Sequence, residues 1–310
     1  MELVYIRDDD WHHGQVADRE RALEDLSGCV YSNVYGPTQI LPFLKHIPEV
    51  TMLSSTQVIN DVDSIEVGIF LWMGQWKNEY DILVDKCKKF FLVGDLNTCG
   101  QNLTTYEVFS RFKDDISAVL AFCPSQVNWV EKVTGCPALF YPPVLYEDSN
   151  SVIFPVDDKD REIIVFSEYH QRGGLGAFSF VNAHYDVNEF DIMRRGDSEC
   201  GDMHTVGYDK NILPQLDKDS WYELLGRYKF VVDGCDIFHQ GRVGLDGLLN
   251  GTCYVGMRGM SYMSYLFDEI AFDMHDLGSR PNDDIYRVFS NAVSKIVTME
   301  QLESEVLYYL

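Results

Sequence analysis

Short apolar runs alternate with stretches of helical spacing along most of this chain. LVYI (3–6), CVYSNVYG (29–36), VTMLSS (50–55), SIEVGIFLWM (64–73), KKFFLVGDL (88–96), SAVLAFCP (117–124) and PALFYPPVLY (137–146) read as strands. Between them, ADRERALEDL (17–26), NEYDILVDKC (78–87), VFSRFKDDI (108–116) and SQVNWVEKVTG (125–135), which Gly135 closes, read as helices. Strands that are apolar throughout, separated by amphipathic helices, predict a parallel sheet with helices on both faces.

The pattern pauses at PPVLYEDSNSVIFPVDDKD (142–160), a proline-bearing acidic stretch that reads as a linker, and then restarts. REIIVFS (161–167), FDIMRRGD (190–197), MHTVGY (203–208), YKFVVDGCDIF (228–238) and TCYVGM (252–257) are strand candidates. FSFVNAHYDV (178–187) and SWYELLGR (220–227) are helix candidates, Ser220 being the expected N-cap of the second. YLFDEIAFDMHDL (265–277) reads as one more strand and loop. The expected organisation is two α/β domains, 1–148 and 149–285, followed by a helical tail, 286–310, free to pack back on the first domain.

Composition narrows the class. In 310 residues, 46% hydrophobic and 13% aromatic content indicates an ordered globular protein, and no repeat or low-complexity stretch is visible. The N-terminus lacks the basic start and apolar segment of a signal peptide, and no run approaches the ~18 apolar residues of a membrane span. Eight scattered cysteines form no C-x-x-C pair, so they read as buried free thiols in a reducing, cytoplasmic setting. A net charge of −24 weighs against affinity that rests mainly on nucleic-acid phosphates. Lys86, Lys88 and Lys89, or Arg194 and Arg195, leave a local basic groove open.

The most informative stretch is HQGRVGLDGLLNG (239–251), between two strand candidates. It predicts a helix that starts near Arg242 after Gly241 and stops at Gly251. Free backbone N–H groups and the helix dipole make such a start an anion site, and an Arg there suits a phosphate. The plain alternative for Arg242 and Asp246 is an exposed ion pair four residues apart.

Two doubly wound domains, a linker and terminal helices resemble the GT-B glycosyltransferase architecture, in which two Rossmann-like domains face each other across a cleft. GRVGLDGLLNGTCYVG (241–256) resembles the donor-binding motif of its retaining members, which implies a ribose-binding role for Asp246. FSEYHQRGGLGAF (166–178) resembles the strand–loop–helix that clasps the donor diphosphate, placing Arg172 and Gly173 on it, with Gly174 and Gly176 keeping side chains clear. AVLAFCPSQVNWVEKVTGCPALFYPPV (118–144) looks like the segment before the interdomain linker. Where that class has a sugar-facing Glu, this chain has Phe238, so His239 or Gln240 is expected to meet sugar hydroxyls instead.

The resemblance implies a glycosyltransferase that takes a nucleotide diphosphate sugar, UDP-sugars being the commonest donors of the class. No further cofactor is required, because Arg172 and Arg242 neutralise the leaving diphosphate. The three aspartates of RDDDWHHG (7–14) diverge along the chain, and no metal site is assigned to them. His12 or His13 in that loop is a candidate general base, and Asp95 a candidate acceptor contact. Tyr208 is a candidate for stacking on the nucleobase, and Arg258 a further candidate for phosphate. The acceptor is a saccharide or small molecule, or a hydroxylated base in viral DNA, since compact acidic enzymes of this architecture resemble viral glycosyltransferases; host cytoplasm would then be the location. A sugar-nucleotide epimerase and a non-catalytic nucleotide-sugar-binding protein are the alternatives.

Overall fold

The computed structural model describes residues 3–7, 50–71, 80–93, 109–142, 159–167, 174–194, 212–213, 216, 218–235, 238–239, 241–273, 275–281 and 284–296. The described residues up to Pro142 form one compact unit, and those from Lys159 to Ile296 form another.

The first unit is a six-stranded parallel sheet. Its strands are β1 (Leu3–Arg7), β2 (Thr51–Ser54), β3 (Ile65–Leu71), β4 (Cys87–Val93), β5 (Ala118–Ala121) and β6 (Ala138–Phe140). They lie in the order β2-β1-β3-β4-β5-β6. Ile65, Val67, Ile69, Phe70 and Phe90 to Val93 are buried, as expected for strands covered on both faces. Helix α1 (Ser55–Asp61) follows β2 directly and opens on a reciprocal cap between Ser54 and Gln57. Helix α2 (Tyr80–Lys86) leads into β4, and α3 (Pro124–Trp129) continues as a π turn, Val130–Thr134, which Gly135 ends at φ +76°.

The second unit is a four-stranded parallel sheet of β7 (Arg161–Ser167), β8 (Phe190–Arg194), β9 (Tyr228–Asp233) and β10 (Cys253–Gly256), in the order β10-β9-β7-β8. Its helices are α4 (Gly174–His184), α5 (Lys218–Leu225), α6 (Arg242–Leu249), α7 (Tyr262–Leu266) and α8 (Ile285–Ser294). Helix α8 packs on β10 and α7, so this described part of the C-terminal segment belongs with the second unit. Among the described residues, no helix is long and apolar enough to cross a membrane.

Several local expectations need correction. Ser220 lies inside α5, which starts two residues earlier, so it is not the N-cap. Helix α4 begins at Gly174, within the stretch read as a loop. The stretch from Tyr265 holds the end of α7 and a 3-10 turn, Asp268–Ile270, where a strand was expected; among its described residues only Phe272 makes a bridge, to Met257. Helix α1 has no counterpart in the sequence reading. The candidate elements at 17–26, 29–36 and 203–208 lie outside the described residues. Cys123, Cys136, Cys235 and Cys253 are buried free thiols and Cys87 is a half-buried one, in line with the reading of the cysteines.

Candidate functional site

Strand order locates the candidate sites. In the second sheet the chain runs from β7 outward to β8, then returns to lay β9 on the other side of β7. The crossovers on either side of β7 diverge, opening a crevice beyond the carboxyl ends of β7 and β9, the usual ligand position in an open parallel sheet. The loops leaving these strands begin at Glu168 and Gly234, and they carry the two stretches singled out above. In the first sheet the same change of direction falls between β1 and β3. The segment after β1 holds His12 and His13, and the one after β4 holds Asp95; all three lie outside the described residues.

At the crevice of the second unit the backbones come close. A β-carbon on Gly176, in the first turn of α4, would sit 3.3 Å from the carbonyl oxygen of Gly234. Glycine there lets the start of α4 rest on the loop after β9. That loop is set by Asp233, the last residue of β9. Its Oδ1 accepts from the backbone N–H of Cys235 at 3.0 Å, and its Oδ2 lies 3.2 Å from the Tyr254 hydroxyl. Burial, then the Asp233 charge, raises the pKa of the Tyr254 hydroxyl well above its ordinary value, so it remains a donor.

Helix α6 starts on Gly241, whose φ of +77° and ψ of 45° place it in the left-handed region. A β-carbon there would also lie 2.7 Å from Cγ of Met263, so both conformation and space call for glycine. Gly244 and Gly247 continue the stripe: β-carbons on them would fall 2.2 Å from Met263 Cγ and 3.1 Å from Thr252 O. Small residues three apart thus let α6 lie close against β9, β10 and α7. Among the described residues, no side chain caps its start. The N–H groups of Arg242, Val243 and Gly244 have no partner within the helix, because the first intrahelical bond is Leu245 N–H to Gly241 O.

His239 stands beside this start, only 9% exposed. Its Nδ1 accepts from the N–H of Gly241 at 3.0 Å, its backbone N–H donates to Met260 O at 3.0 Å, and its backbone bridges to Ser261. Among the described residues, Nε2 is buried and meets no hydrogen-bond partner.

Asp246, to which a ribose role was given, is 0% exposed. Its Oδ2 accepts from Trp221 Nε1 and its Oδ1 from the Tyr222 hydroxyl, each at 3.1 Å. Both donors belong to α5, so the carboxylate ties α6 to α5. A Trp-Tyr pair two turns ahead of a strand carries no signal in the sequence that its polar edges serve a distant carboxylate.

The remaining candidates are quickly placed. Gly241 is the N-cap of α6 and Arg242 its first residue; the Arg242 side chain lies outside the described set, as do Arg172, Gly173, Tyr208 and Gln240. Phe238 is buried. Arg258 is not a free phosphate ligand: it pairs with Asp268 at 2.6 Å and Asp273 at 3.7 Å, and donates to Ala271 O. Two of the lysines proposed for a basic groove are also engaged. Lys86 Nζ contacts the carbonyls of Val58, Ile59 and Val62 at the end of α1, and Lys88 pairs with Glu66 at 2.5 Å.

No protein-family model matches the chain, and no curated protein matches it by sequence. Solved structures do. HepE of Anabaena, solved in complex with UDP and glucose, is 14% identical with a TM-score of 0.60, over 100% of both chains. A trehalose-phosphate synthase (UDP-forming) from Burkholderia vietnamiensis is 7% identical with a TM-score of 0.53, over 100% of this chain and 95% of that one. TarM is 12% identical with a TM-score of 0.54, over 78% of this chain and 54% of TarM, so the chain spans about half of its length. A variant of TarM from S. aureus is solved with fondaparinux, α-GlcNAc-glycerol and UDP. The chain shares the GT-B fold of these proteins: mixed α/β, with parallel sheets in two doubly wound units.

Proposed function

We propose that this protein is a metal-independent glycosyltransferase that binds a nucleotide diphosphate sugar, with UDP as the nucleotide, at the carboxyl edge of the second sheet. The observation that carries the reading is the approach, at one switch point, of the first turn of α4 to Gly234 just after β9, with the start of α6, which no described side chain caps, following on the same loop. Positive dipole ends and free N–H groups gather there, which suits a diphosphate. The fold is that of proteins solved with UDP.

In this reading Arg172, with Gly173, and Arg242 stabilise the diphosphate. The acceptor oxygen forms a bond to the anomeric carbon, the bond from that carbon to the β-phosphate oxygen breaks, and the nucleoside diphosphate departs with the electron pair. His12 or His13 takes the acceptor proton, and Asp95 contacts the acceptor. Gln240 contacts the sugar and Tyr208 the base. The tie to Trp221 and Tyr222 makes Asp246 a support of α6, and a ribose contact would have to use the lone pairs those two donors leave open. A saccharide or small-molecule acceptor suits the chain better than DNA, since Lys86 and Lys88 already have partners.

Release of nucleoside diphosphate from a panel of nucleotide sugars tests the proposal. UDP release is expected from at least one donor, and Arg172→Ala and Arg242→Ala should each lower kcat about 10²-fold. A panel with neither binding nor release would remove the reading. Buried Phe238, where the resembled class has a sugar-facing Glu, favours a second one: a protein that binds the donor without transfer. Binding with zero turnover would support it, whereas a product of unchanged mass would indicate an epimerase.

A further inference from the structure

We propose that His239 is a hydrogen-bond donor locked in a single tautomer, and that its Nε2–H is directed at an unprotonated oxygen of the donor diphosphate. The inference rests on the nucleotide-sugar reading and says which ligand atom this side chain selects. It differs from the sequence-based expectation, which gave His239 a sugar hydroxyl.

The lock is read from geometry. A ring nitrogen that accepts a backbone N–H carries no proton, and Nδ1 accepts from Gly241 at 3.0 Å. The proton of the neutral ring therefore resides on Nε2. Ring rotation would forfeit the Gly241 bond, and the backbone of His239 is pinned by Met260 and Ser261. The result is an N–H that is buried and, among the described residues, has no acceptor. A buried donor without an acceptor is destabilising, and native proteins rarely keep one unless something else completes it.

Chemistry selects the acceptor. The ring is joined to the N-cap of α6, and the N–H groups that open this helix, those of Arg242, Val243 and Gly244, have no partner within it. A sugar hydroxyl carries no charge for the helix dipole to stabilise. A phosphate oxygen brings lone pairs only, with negative charge that the helix dipole favours. A donor-only imidazole among donor-only amides is matched to an oxyanion.

The experiment uses the full chain with 15N-labelled histidine. Long-range nitrogen–proton NMR spectra give the tautomer of His239 before any ligand is added, and the ring is then followed with UDP, inorganic pyrophosphate, uridine and glucose. The Nε2–H tautomer is expected in the free protein. UDP and pyrophosphate should shift the Nε2–H resonance, while uridine and glucose leave it in place. Two variants separate ligand binding from structure. His239→Asn puts an acceptor near the position of Nδ1 and removes the distal donor, so it should weaken UDP binding about tenfold with the melting temperature kept. His239→Gln restores a distal N–H and should recover most of the affinity.

The inference is overturned by an Nδ1–H tautomer in the free protein, or by UDP binding that leaves Nε2–H unmoved. It is equally overturned if both variants bind UDP like the parent, or if His239→Asn loses affinity and thermal stability together. Absence of binding by any nucleoside diphosphate is a different result: it removes the nucleotide reading itself, and this inference with it.

Discussion

The two edges of the second sheet are built from the same strands but treat polar groups in opposite ways. At the amino edge Lys159 Nζ lies 2.5 Å from Gly226 O and 2.6 Å from Asn250 O, joining the carbonyl ends of α5 and α6. Arg161, Asp191 and Tyr228 close a triangle of contacts between 2.5 and 3.0 Å. Arg227 grips Asp160 with two bonds, and the Thr252 hydroxyl reaches the carbonyls of Leu225 and Tyr228. The carboxyl edge instead has a helix start that no described side chain caps, a left-handed glycine and a buried imidazole nitrogen with no described partner. The first unit repeats the device at its amino edge, where Lys86 caps the end of α1. The described polar groups of the amino edge are completed by the chain itself; at the carboxyl edge Asp233 and Arg258 are too, and the proposed function assigns a ligand to the start of α6 and His239.

The largest effect is expected where the two edges are linked. Asp246→Ala removes the acceptor that Trp221 Nε1 and the Tyr222 hydroxyl share, and should cost about 3 kcal/mol, counting both donors. Urea unfolding measures this. If Asp246 instead serves the ligand first, stability will hold while UDP affinity drops, and wild type will discriminate against 2′-deoxy-UDP in a way that Asp246→Asn does not.

Gly241→Ala comes next, at about 2–3 kcal/mol, from left-handed strain plus overlap with Met263. It should lower UDP affinity as well, since the start of α6 must shift. Lys159→Met, at the other edge, should cost about 1–2 kcal/mol through the two helix ends it uncaps and leave UDP affinity unchanged. A matching fall in affinity would break the division between edges. The Lys159 ammonium also carries a pH signature. Burial lowers its pKa from 10.5 to about 8, opposed by the neighbouring Cys253. Between those values the folded state holds fewer protons than the unfolded one, so this group's contribution to stability rises with pH. The difference in unfolding free energy between wild type and Lys159→Met, followed from pH 7.5 to 10, should show that slope.

Strands of the second unit were legible because both faces of a parallel sheet are covered, and REIIVFS and TCYVGM are apolar with little alternation. Gly251 was legible as a stop, and it sits at φ +69° just past α6. Helix α1 escaped notice although Ser54 and Gln57 spell its capping box, because STQVIND lacks a sustained apolar stripe. The start of α4 was hidden by its own glycines: Gly174 and Gly176 disfavour helix in isolation, and the close approach of Gly176 to Gly234 becomes visible only once the sheet is assembled. Sequence placed the site at the start of α6, yet the partners of Asp246 and His239 lie between 2 and 25 positions away, where spacing carries no message.

The smallest expected effect is the sharpest test of why the carboxyl edge resists change. Gly135 has φ +76°, almost the angle of Gly241, but it lies just ahead of β6, at the amino edge of the first sheet. A β-carbon there would meet nothing within 4 Å, whereas one on Gly241 would meet Met263. Gly135→Ala therefore isolates backbone strain, at about 1 kcal/mol, with no packing conflict. The excess cost of Gly241→Ala over it measures the packing of α6 against α7. Adding Met263→Ala to Gly241→Ala should reduce that excess. If the two glycines cost the same from the outset, Met263 yields freely, and the start of α6 is held by its glycine conformation and His239 alone.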